Sequence, residues 1–248
     1  MKDDILYGIN PVREALRGGR EAFELFVAGD ESERRLAKLL ELAAEHGVPV
    51  RRRDKRDLAR LSGTDHHQGV VLRVAPFAYA ELEDVIDRWR ASGEPGLVLL
   101  LDSIQDPHNL GALIRTAACA GAHGVVIPQD RAVGVTPAVE KASAGAVETV
   151  PVARVTNLAH AIDQLKEAGF WVFGTASGEG ESIYGHDLSG NVTLVIGSEG
   201  EGIRPLVAKK CDVLVTIPLK GGVSSLNASV AGGIVLFEIV RQRLAGGK

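Results

Sequence analysis

The stretch LVLLLDSIQDPHNLGALIR, residues 97–115, decides how the second half of the chain is interpreted. Its first five residues are an unbroken apolar run, which is typical of a parallel strand buried on both faces. Polar residues follow at once, with Pro107 and Gly111 setting a turn, and helical spacing begins at residue 110. Strand, polar turn and helix in this order predict one unit of an α/β fold.

The same alternation continues towards the carboxyl end. Further apolar strand runs are predicted at residues 124–127, 171–174, 192–196 and 213–217, and helices at 158–168 and 227–243. Because parallel strands need helical crossovers, residues 97–248 are expected to form one α/β domain with a parallel sheet covered on both faces.

The first 75 residues predict a separate, small α/β domain. Strands are expected at residues 24–28, 48–52 and 69–74, with a short helix near Leu58. Asn10-Pro11 has the pattern of a cap and first-turn pair, and Ser32 that of a cap on a helix at 33–46. The charged segment 76–96, which contains a helical pattern at 82–89, is expected to link the two domains.

Composition limits the possible partners. With 45% hydrophobic and 24% charged residues the chain is expected to be globular, and it contains no apolar run near the roughly 20 residues of a membrane helix. Its polar start lacks a signal peptide pattern, so a cytoplasmic protein is expected. The net charge of −4 argues against nucleic-acid binding by bulk electrostatics, so any basic surface must be local.

One local basic stretch stands out, RRRDKR at residues 51–56. It joins a predicted strand to a predicted helix, and its cations suit contacts with phosphates and not the reading of bases. A solvated charged face is the alternative. The residues predicted to contact RNA are Arg51, Arg52, Arg53, Lys55 and Arg56.

No metal site is predicted. Cys119 and Cys211 lack metal-ligand spacing, and the pair His66 and His67 has no third ligand nearby. The two histidines are therefore expected to have a structural role or to contact RNA.

Three polar or glycine-rich segments follow predicted strands, where open α/β sheets bind ligands. They are residues 102–115, VIGSEGEG at 195–202 and IPLKGGVSSLNAS at 217–229. The second is neither a phosphate loop nor a dinucleotide fingerprint. Taken singly, each segment has a plain structural alternative. Residues 102–115 could be a capped helix with a surface arginine, 195–202 a tight turn, and 217–229 a helix cap.

Together and in this order, the three segments resemble the signature motifs of the SpoU (TrmH) family of SPOUT methyltransferases. The resemblance covers residues from about 97 to 245, and KASAGA at 141–146 is similar to a further family stretch. YGINPVREAL at 7–16 and HQGVV at 67–71 resemble the opening and closing of the substrate-binding domain of the ribosomal RNA guanosine methylases in this family. The family's transfer-RNA methylases often lack that domain.

This resemblance implies an enzyme that uses S-adenosylmethionine to methylate a ribose 2′-hydroxyl, of a guanosine in 23S ribosomal RNA. It implies a Rossmann-like sheet with a carboxyl-terminal trefoil knot, and a homodimer in which one subunit's donor pocket meets the other's catalytic arginine. The implied donor-binding residues are Gly197, Ile217, Leu226, Thr175, Ser198 and Pro218. The implied catalytic residues are Arg115, Asn109, Glu199, Ser225 and Asn227.

Side-chain chemistry suggests different catalytic roles for Arg115 and Glu199. Arginine stays protonated in proteins and is a poor base. Arg115 is therefore expected to bind the phosphate of the target nucleotide and to stabilise the developing alkoxide. Glu199 or a water is then expected to accept the hydroxyl proton.

Three other functions compete with this hypothesis. The same chemistry could act on transfer RNA, or the chain could be a non-catalytic RNA-binding protein of ribosome assembly. A nicotinamide oxidoreductase is disfavoured because no Gly-x-Gly-x-x-Gly turn follows the first strand of the second domain.

Overall fold

The computed structural model describes residues 3–29, 33–176, 178, 180–222 and 224–246, without the side chains of residues 33–35. Ser32, predicted as a helix cap, lies outside the described residues. The chain divides into two compact units. The first unit is Met1–Ala78 with Val135–Thr149, and the second is Tyr79–Gly134 with Val150–Lys248.

A four-stranded sheet forms the centre of the first unit. Its strands are β1 (Asp4–Tyr7), β2 (Ala22–Ala28), β3 (Val50–Arg53) and β4 (Val70–Val74), in the order β1-β4-β2-β3. Within this sheet, β2 and β3 pair in parallel, and the other two strand pairs are antiparallel. The helices α1 (Ile9–Arg17), α2 (Glu33–Glu45) and α3 (Lys55–Ser62) belong to the same unit, and Leu6, Leu16, Leu25 and Leu72 lie in its core.

The start of α1 differs from the sequence prediction. The cap position is Gly8, at φ +92°, and Asn10 lies inside the first turn, so the prediction of an Asn10 cap is wrong. Gly8 has no side chain to cap the helix. Instead the amide of Ile9 donates to Oε1 of Gln68 at 3.0 Å, and a side chain far away in sequence performs the capping.

Residues 135–149 pack with the first unit, although the predicted boundaries place them in the second domain. They contain α6 (Pro137–Ala142), whose buried Glu140 accepts a 2.6 Å hydrogen bond from Nη1 of Arg20. Arg20 also contacts Glu148 at 3.0 Å and Asp4 at 3.1 Å. Burial raises the pKa of Glu140 to about 7, so its carboxylate depends on Arg20 for compensation.

The second unit is built on a seven-stranded sheet in which every pair is parallel. Its order is β7-β6-β5-β10-β8-β11-β9. The strands are β5 (Leu97–Asp102), β6 (Gly124–Pro128), β7 (Val152–Val155), β8 (Trp171–Thr175), β9 (Glu181–Ser182), β10 (Val192–Gly197) and β11 (Val213–Thr216). The predicted α/β class and parallel sheet are confirmed, while the trefoil knot stays a prediction.

Five helices accompany this sheet among the described residues of the second unit. They are α4 (Leu82–Ser92), α5 (Pro107–Cys119), α7 (Leu158–Glu167), α8 (Pro205–Lys210) and α9 (Ala228–Gly246). The sequence assigned α4 to a linker, but its Leu82, Val85 and Ile86 lie in the core of the second unit. Ala80 also bridges to Ala153, so this segment is part of the second unit's structure.

Helices α5 and α9 approach closely at a glycine. A Cβ on Gly232 would lie 2.4 Å from Cδ2 of the buried Leu113, so only glycine allows this separation. Below this point Leu236 and Ile239 of α9 are fully buried. The packing therefore fixes the first turns of two helices that both contribute to the site described below.

The packing of α4 on the sheet gives a stability prediction. A Cβ on Gly124 of β6 would lie 2.4 and 2.5 Å from the two γ-carbons of Val85, a buried β-branched residue with little rotamer freedom. Gly124→Ala should therefore lower the free energy of unfolding by about 1–3 kcal/mol, as overpacking does. Urea denaturation measures this change.

Gly190→Ala is the matched control. Gly190 is exposed, and a Cβ there meets no atom within 4 Å. Its unfolding free energy should change by no more than about 0.5 kcal/mol. Equal unfolding free energies for the two variants would show that Val85 does not pack closely against Gly124 of β6.

Candidate active site

A cavity of about 460 Å³ lies in the second unit at the carboxyl ends of β8, β10 and β11. The segment before α9 forms its opposite wall. All six residues predicted to bind the donor line it, namely Thr175, Gly197, Ser198, Ile217, Pro218 and Leu226. Two residues predicted as catalytic, Glu199 and Ser225, line it as well.

The lining combines apolar side chains with exposed backbone. Ile217 and Leu226 supply apolar surface, and Gly197, Gly202 and Gly221 bring backbone without side chains to the wall of the cavity. The hydroxyl of Thr175 already donates to the carbonyl of Val195 at 3.2 Å and so ties β8 to β10. A cavity that offers both apolar and polar surface suits a small organic ligand.

The loop of residues 198–202 after β10 makes a tight reversal. Ser198 and Gly202 exchange two backbone hydrogen bonds of 3.1 Å, and Gly202 has φ +67°. A Cβ on Gly197 would lie 2.1 Å from the carbonyl carbon of Gly202 and 2.3 Å from the amide nitrogen of Ile203. Only glycine at position 197 permits this close approach of two backbone segments.

A buried ion pair anchors the end of this loop. Asp102, at the end of β5, is fully buried, and its two oxygens accept hydrogen bonds of 2.7 Å from the amide and from Nε of Arg204. Ser103 adds a hydroxyl donor at 3.1 Å. Asp102 was not predicted from the sequence as a functional residue, although an acid directly after an apolar run was a usable signal.

Three of the predicted catalytic residues meet at the edge of the cavity. Nδ2 of Asn109 donates to Oε1 of Glu199 at 3.0 Å, and Nδ2 of Asn227 donates to Oδ1 of Asn109 at 2.9 Å. Asn227 also donates to the same oxygen of Glu199. Two amides thus fix the carboxylate through Oε1, and Oε2 makes no hydrogen bond with any described residue.

Each member of this cluster is positioned by local structure. Asn109 lies in the first turn of α5, where Asp106 caps the helix through the amides of His108 and Asn109. Asn227 caps α9, since its Oδ1 accepts from the amide of Ser229 at 3.0 Å. The same Asn227 side chain therefore caps a helix with its oxygen and holds Glu199 with its nitrogen.

Arg115 is placed differently. It lies on α5, is exposed, does not line the cavity and forms no hydrogen bond or ion pair within the described part of the chain. The structure therefore joins Asn109, Glu199 and Asn227 in one cluster and puts Ser225 in the adjoining cavity. It leaves Arg115 outside that group within a single chain.

The residues predicted to contact RNA lie in the first unit. Arg52, Arg53, Lys55 and Arg56 line a cavity of about 720 Å³ together with Gly29, Asp54 and Asp57. Arg51 does not line it and pairs with Glu24 on the neighbouring strand. Asp54 caps α3 by accepting from the amide of Asp57 at 2.7 Å. The cavity thus lies between β3 and the first turn of α3.

The described residues contain no group of three or more His, Cys, Asp or Glu side chains placed to hold a metal ion. None of the described helices has the length and apolar character needed to cross a membrane.

Comparisons with known proteins agree with this architecture. Residues 5–80 match the family model for RNA 2′-O ribose methyltransferase substrate binding. YacO of Bacillus subtilis, a TrmH-family protein whose name leaves tRNA and rRNA open, is 44% identical, covering 97% of this chain and 96% of its own. The 23S rRNA (guanosine-2′-O-)-methyltransferase RlmB of Ralstonia nicotianae is 43% identical, and the match covers 98% of this chain and 97% of RlmB.

A solved structure shows the same fold. The SpoU methyltransferase AviRb from Streptomyces viridochromogenes, in complex with the cofactor AdoMet, superposes with a TM-score of 0.83 at 27% identity, covering 98% of this chain and 92% of that one. Residues 96–237, which include the cavity and the Asn109–Glu199–Asn227 cluster, match the model of the SpoU rRNA methylase family. The chain therefore belongs to the SpoU rRNA methylase family.

Proposed function

We propose that this protein transfers a methyl group from S-adenosylmethionine to the ribose 2′-hydroxyl of a guanosine in 23S ribosomal RNA. One observation carries the proposal: the cavity at the ends of β8, β10 and β11 borders the cluster of Asn109, Glu199 and Asn227. Such a site holds a small donor beside a fixed carboxylate. Full-length similarity to RlmB, first unit included, favours ribosomal RNA over transfer RNA as the substrate. An enzyme that acts on ribosomal RNA would work in the cytoplasm.

The cavity fits the donor. Its volume of about 460 Å³ falls in the usual range for small-molecule sites, roughly 300–1,000 Å³. Ile217 and Leu226 would pack against the adenine, and the backbone at Gly197 would supply hydrogen bonds that distinguish its edge. S-adenosylmethionine supplies an electrophilic methyl group when it is bound, which leaves the protein the tasks of placing the acceptor and removing its proton.

Glu199 is the proposed proton acceptor. A ribose hydroxyl is a weak nucleophile near neutral pH, so a base must take its proton as it attacks. The amides of Asn109 and Asn227 both bind Oε1 of Glu199, and this leaves Oε2 for the incoming hydroxyl. Arg115 would hold the adjacent phosphate and stabilise the developing alkoxide, because its guanidinium stays charged.

We infer a homodimer from α9 and from Arg115. Val230, Phe237 and Leu244 are 49%, 48% and 73% exposed, and their seven-residue spacing puts them on one face of α9. An apolar stripe of this kind suits a second copy of the chain. Because Arg115 does not line the cavity of its own chain, each site would use the partner's arginine.

The first unit would hold the RNA. Arg52, Arg53, Lys55 and Arg56 surround one cavity, and such clustered cations attract phosphates although the whole chain is acidic. Arg51, which pairs with Glu24, would contribute at the border of the same surface. These contacts would orient the RNA without reading its bases.

Donor binding should depend on Gly197. Gly197→Ala places a methyl group against the backbone of residues 202 and 203 and forces the loop to move. Affinity for S-adenosylmethionine, measured by calorimetry, should fall about tenfold or more, since overpacking costs about 1–3 kcal/mol. Gly200→Ala, in the same loop with no atom within 4 Å of its Cβ, is the control. If both variants bind the donor equally well, the cavity is not the donor site.

Turnover should depend on Glu199. Glu199→Gln keeps the shape of the side chain and removes the base, so methylation of 23S rRNA should slow by about 10²–10⁴-fold while donor affinity is retained. Transfer of labelled methyl groups to unmodified 23S rRNA and to tRNA measures both rate and substrate class. Glu201→Gln, two residues away and exposed, is the control. Wild-type turnover in Glu199→Gln would exclude Glu199 as the base, and methylation of tRNA alone would move the substrate to that class.

The shared site predicts complementation. Arg115→Ala and Glu199→Gln should each be inactive as homodimers, whereas a mixed dimer contains one site with Glu199 from one chain and Arg115 from the other. Random pairing makes about half of the dimers mixed, each with one intact site, so a co-refolded equimolar mixture should recover about a quarter of wild-type activity. Sites built within single chains would give no recovery.

A further inference from the structure

The turn at residues 66–70 of the first unit is held in a strained conformation. Gln68 has φ +57° and Gly69 has φ +76°. Hydrogen bonds reach this turn from Ile9 to the Gln68 side chain, from Ala28 to the Gly69 carbonyl at 2.8 Å, and from Nζ of Lys141 to the His66 carbonyl at 2.8 Å. A non-glycine residue keeps a positive φ only where its surroundings impose it. The position of the intervening His67 is therefore fixed.

The ring of His67 has one nitrogen engaged and one available. Its side chain is buried, with 4% exposure, and Nδ1 accepts the amide of Gly69 at 3.0 Å. An accepting Nδ1 carries no proton, so Nε2 carries it and is a donor. Nε2 makes no hydrogen bond with any residue that the structure describes. Nε2 is not among the side-chain atoms that are both fully buried and without a partner, so this donor keeps access to solvent and can bind an acceptor on a ligand.

His67 lines a cavity of about 380 Å³ together with Lys55, Arg56, Asp65, Gln68 and Gly69. Lys55 and Arg56 also line the cavity of about 720 Å³ described above, so the two cavities adjoin at these cations. Two cations and one carboxylate give this cavity one net positive charge. That charge matches a phosphodiester, which carries one negative charge, better than a terminal phosphate with nearly two.

We propose that this cavity binds a phosphodiester group of the substrate RNA, with Nε2–H of His67 donating to a phosphate oxygen. Lys55 and Arg56 supply the attraction, and His67 supplies a neutral donor of fixed direction. The proposal rests on the proposed function in taking RNA as the substrate. It adds His67 to the RNA-contacting residues, and it makes Asp65 a group that limits affinity for anions.

The test replaces one ring nitrogen at a time. His67→Asn keeps an acceptor near the position of Nδ1 for the Gly69 amide and removes the donor at Nε2. His67→Gln places an amide donor near the position of Nε2. Binding of a 23S rRNA fragment at fixed salt should weaken about tenfold in His67→Asn and recover most of that loss in His67→Gln, as expected for one hydrogen bond to a charged group. His46→Asn, exposed at the end of α2, is the control.

Asp65→Asn provides a second test that does not depend on the His67 turn. Asp65 is exposed and forms no hydrogen bond or ion pair within the described residues, so its replacement should not affect folding. It should tighten RNA binding several-fold, whereas Glu45→Gln, which makes the same charge change outside both cavities, should not. Inorganic phosphate at millimolar concentration should not displace RNA from the wild-type protein.

The outcomes separate this proposal from the methylation reaction. An increase in KM for RNA in His67→Asn, with unchanged kcat and donor affinity, supports the phosphodiester site. Unchanged RNA affinity in both His67→Asn and Asp65→Asn overturns it, even if the enzyme is active. Displacement of RNA by inorganic phosphate overturns the preference for a diester. If the RNA affinities change as expected while no RNA is methylated, the RNA site stands and the proposed reaction fails.

Discussion

The buried carboxylate of Asp102 is the constraint on which the active site depends. It lies at the end of a central strand, and Arg204 satisfies it with both a backbone and a side-chain donor at 2.7 Å. Removing one member of a buried pair typically costs about 3–5 kcal/mol, because the other charge is left without compensation. The loop of residues 198–202 is thereby held at both ends, by the Asp102–Arg204 pair and by the close backbone approach at Gly197. Glu199 lies between these two fixed points.

The crossing of α5 and α9 positions Asn109 and Asn227, the two amides that bind Glu199. Because Gly232 has no side chain, α9 approaches Leu113 of α5 closely, and the first turns of both helices reach the loop that contains Glu199. Asn109 and Asn227 therefore bind the same carboxylate from opposite helices. The three segments are far apart in sequence, yet each is positioned by buried packing. A carboxylate oriented in this way needs little reorganisation when it accepts a proton.

Much of the fold could be predicted from the sequence, for identifiable reasons. The apolar runs of β5, β6, β8 and β10 are long enough to indicate buried parallel strands, and polar segments after such strands converge at one edge of a sheet. The strands β1, β7 and β9 and the helices α6 and α8 were missed because they are two to six residues long and show no clear periodicity.

Other features depend on partners far away in the chain. The cap of α1 comes from Gln68, about sixty residues away, so the local Asn10-Pro11 pattern gave the wrong residue. Burial of Glu140 against Arg20 places residues 135–149 with the first unit, and no pattern of spacing indicates such a pair. Family resemblance identified Asn109, Glu199 and Asn227, but only the structure shows that one oxygen of Glu199 accepts both amides. The same structure leaves Arg115 outside the cavity, which the sequence could not show.

A map of ribose methylation, by mass spectrometry, in ribosomal RNA from cells that lack this protein tests the proposed reaction and its substrate together. We expect that one 2′-O-methylguanosine of 23S rRNA is lost and that the wild-type gene restores it. An unchanged set of 2′-O-methyl groups in 23S rRNA, with a missing group in tRNA or none at all, would show that 23S rRNA is not the substrate.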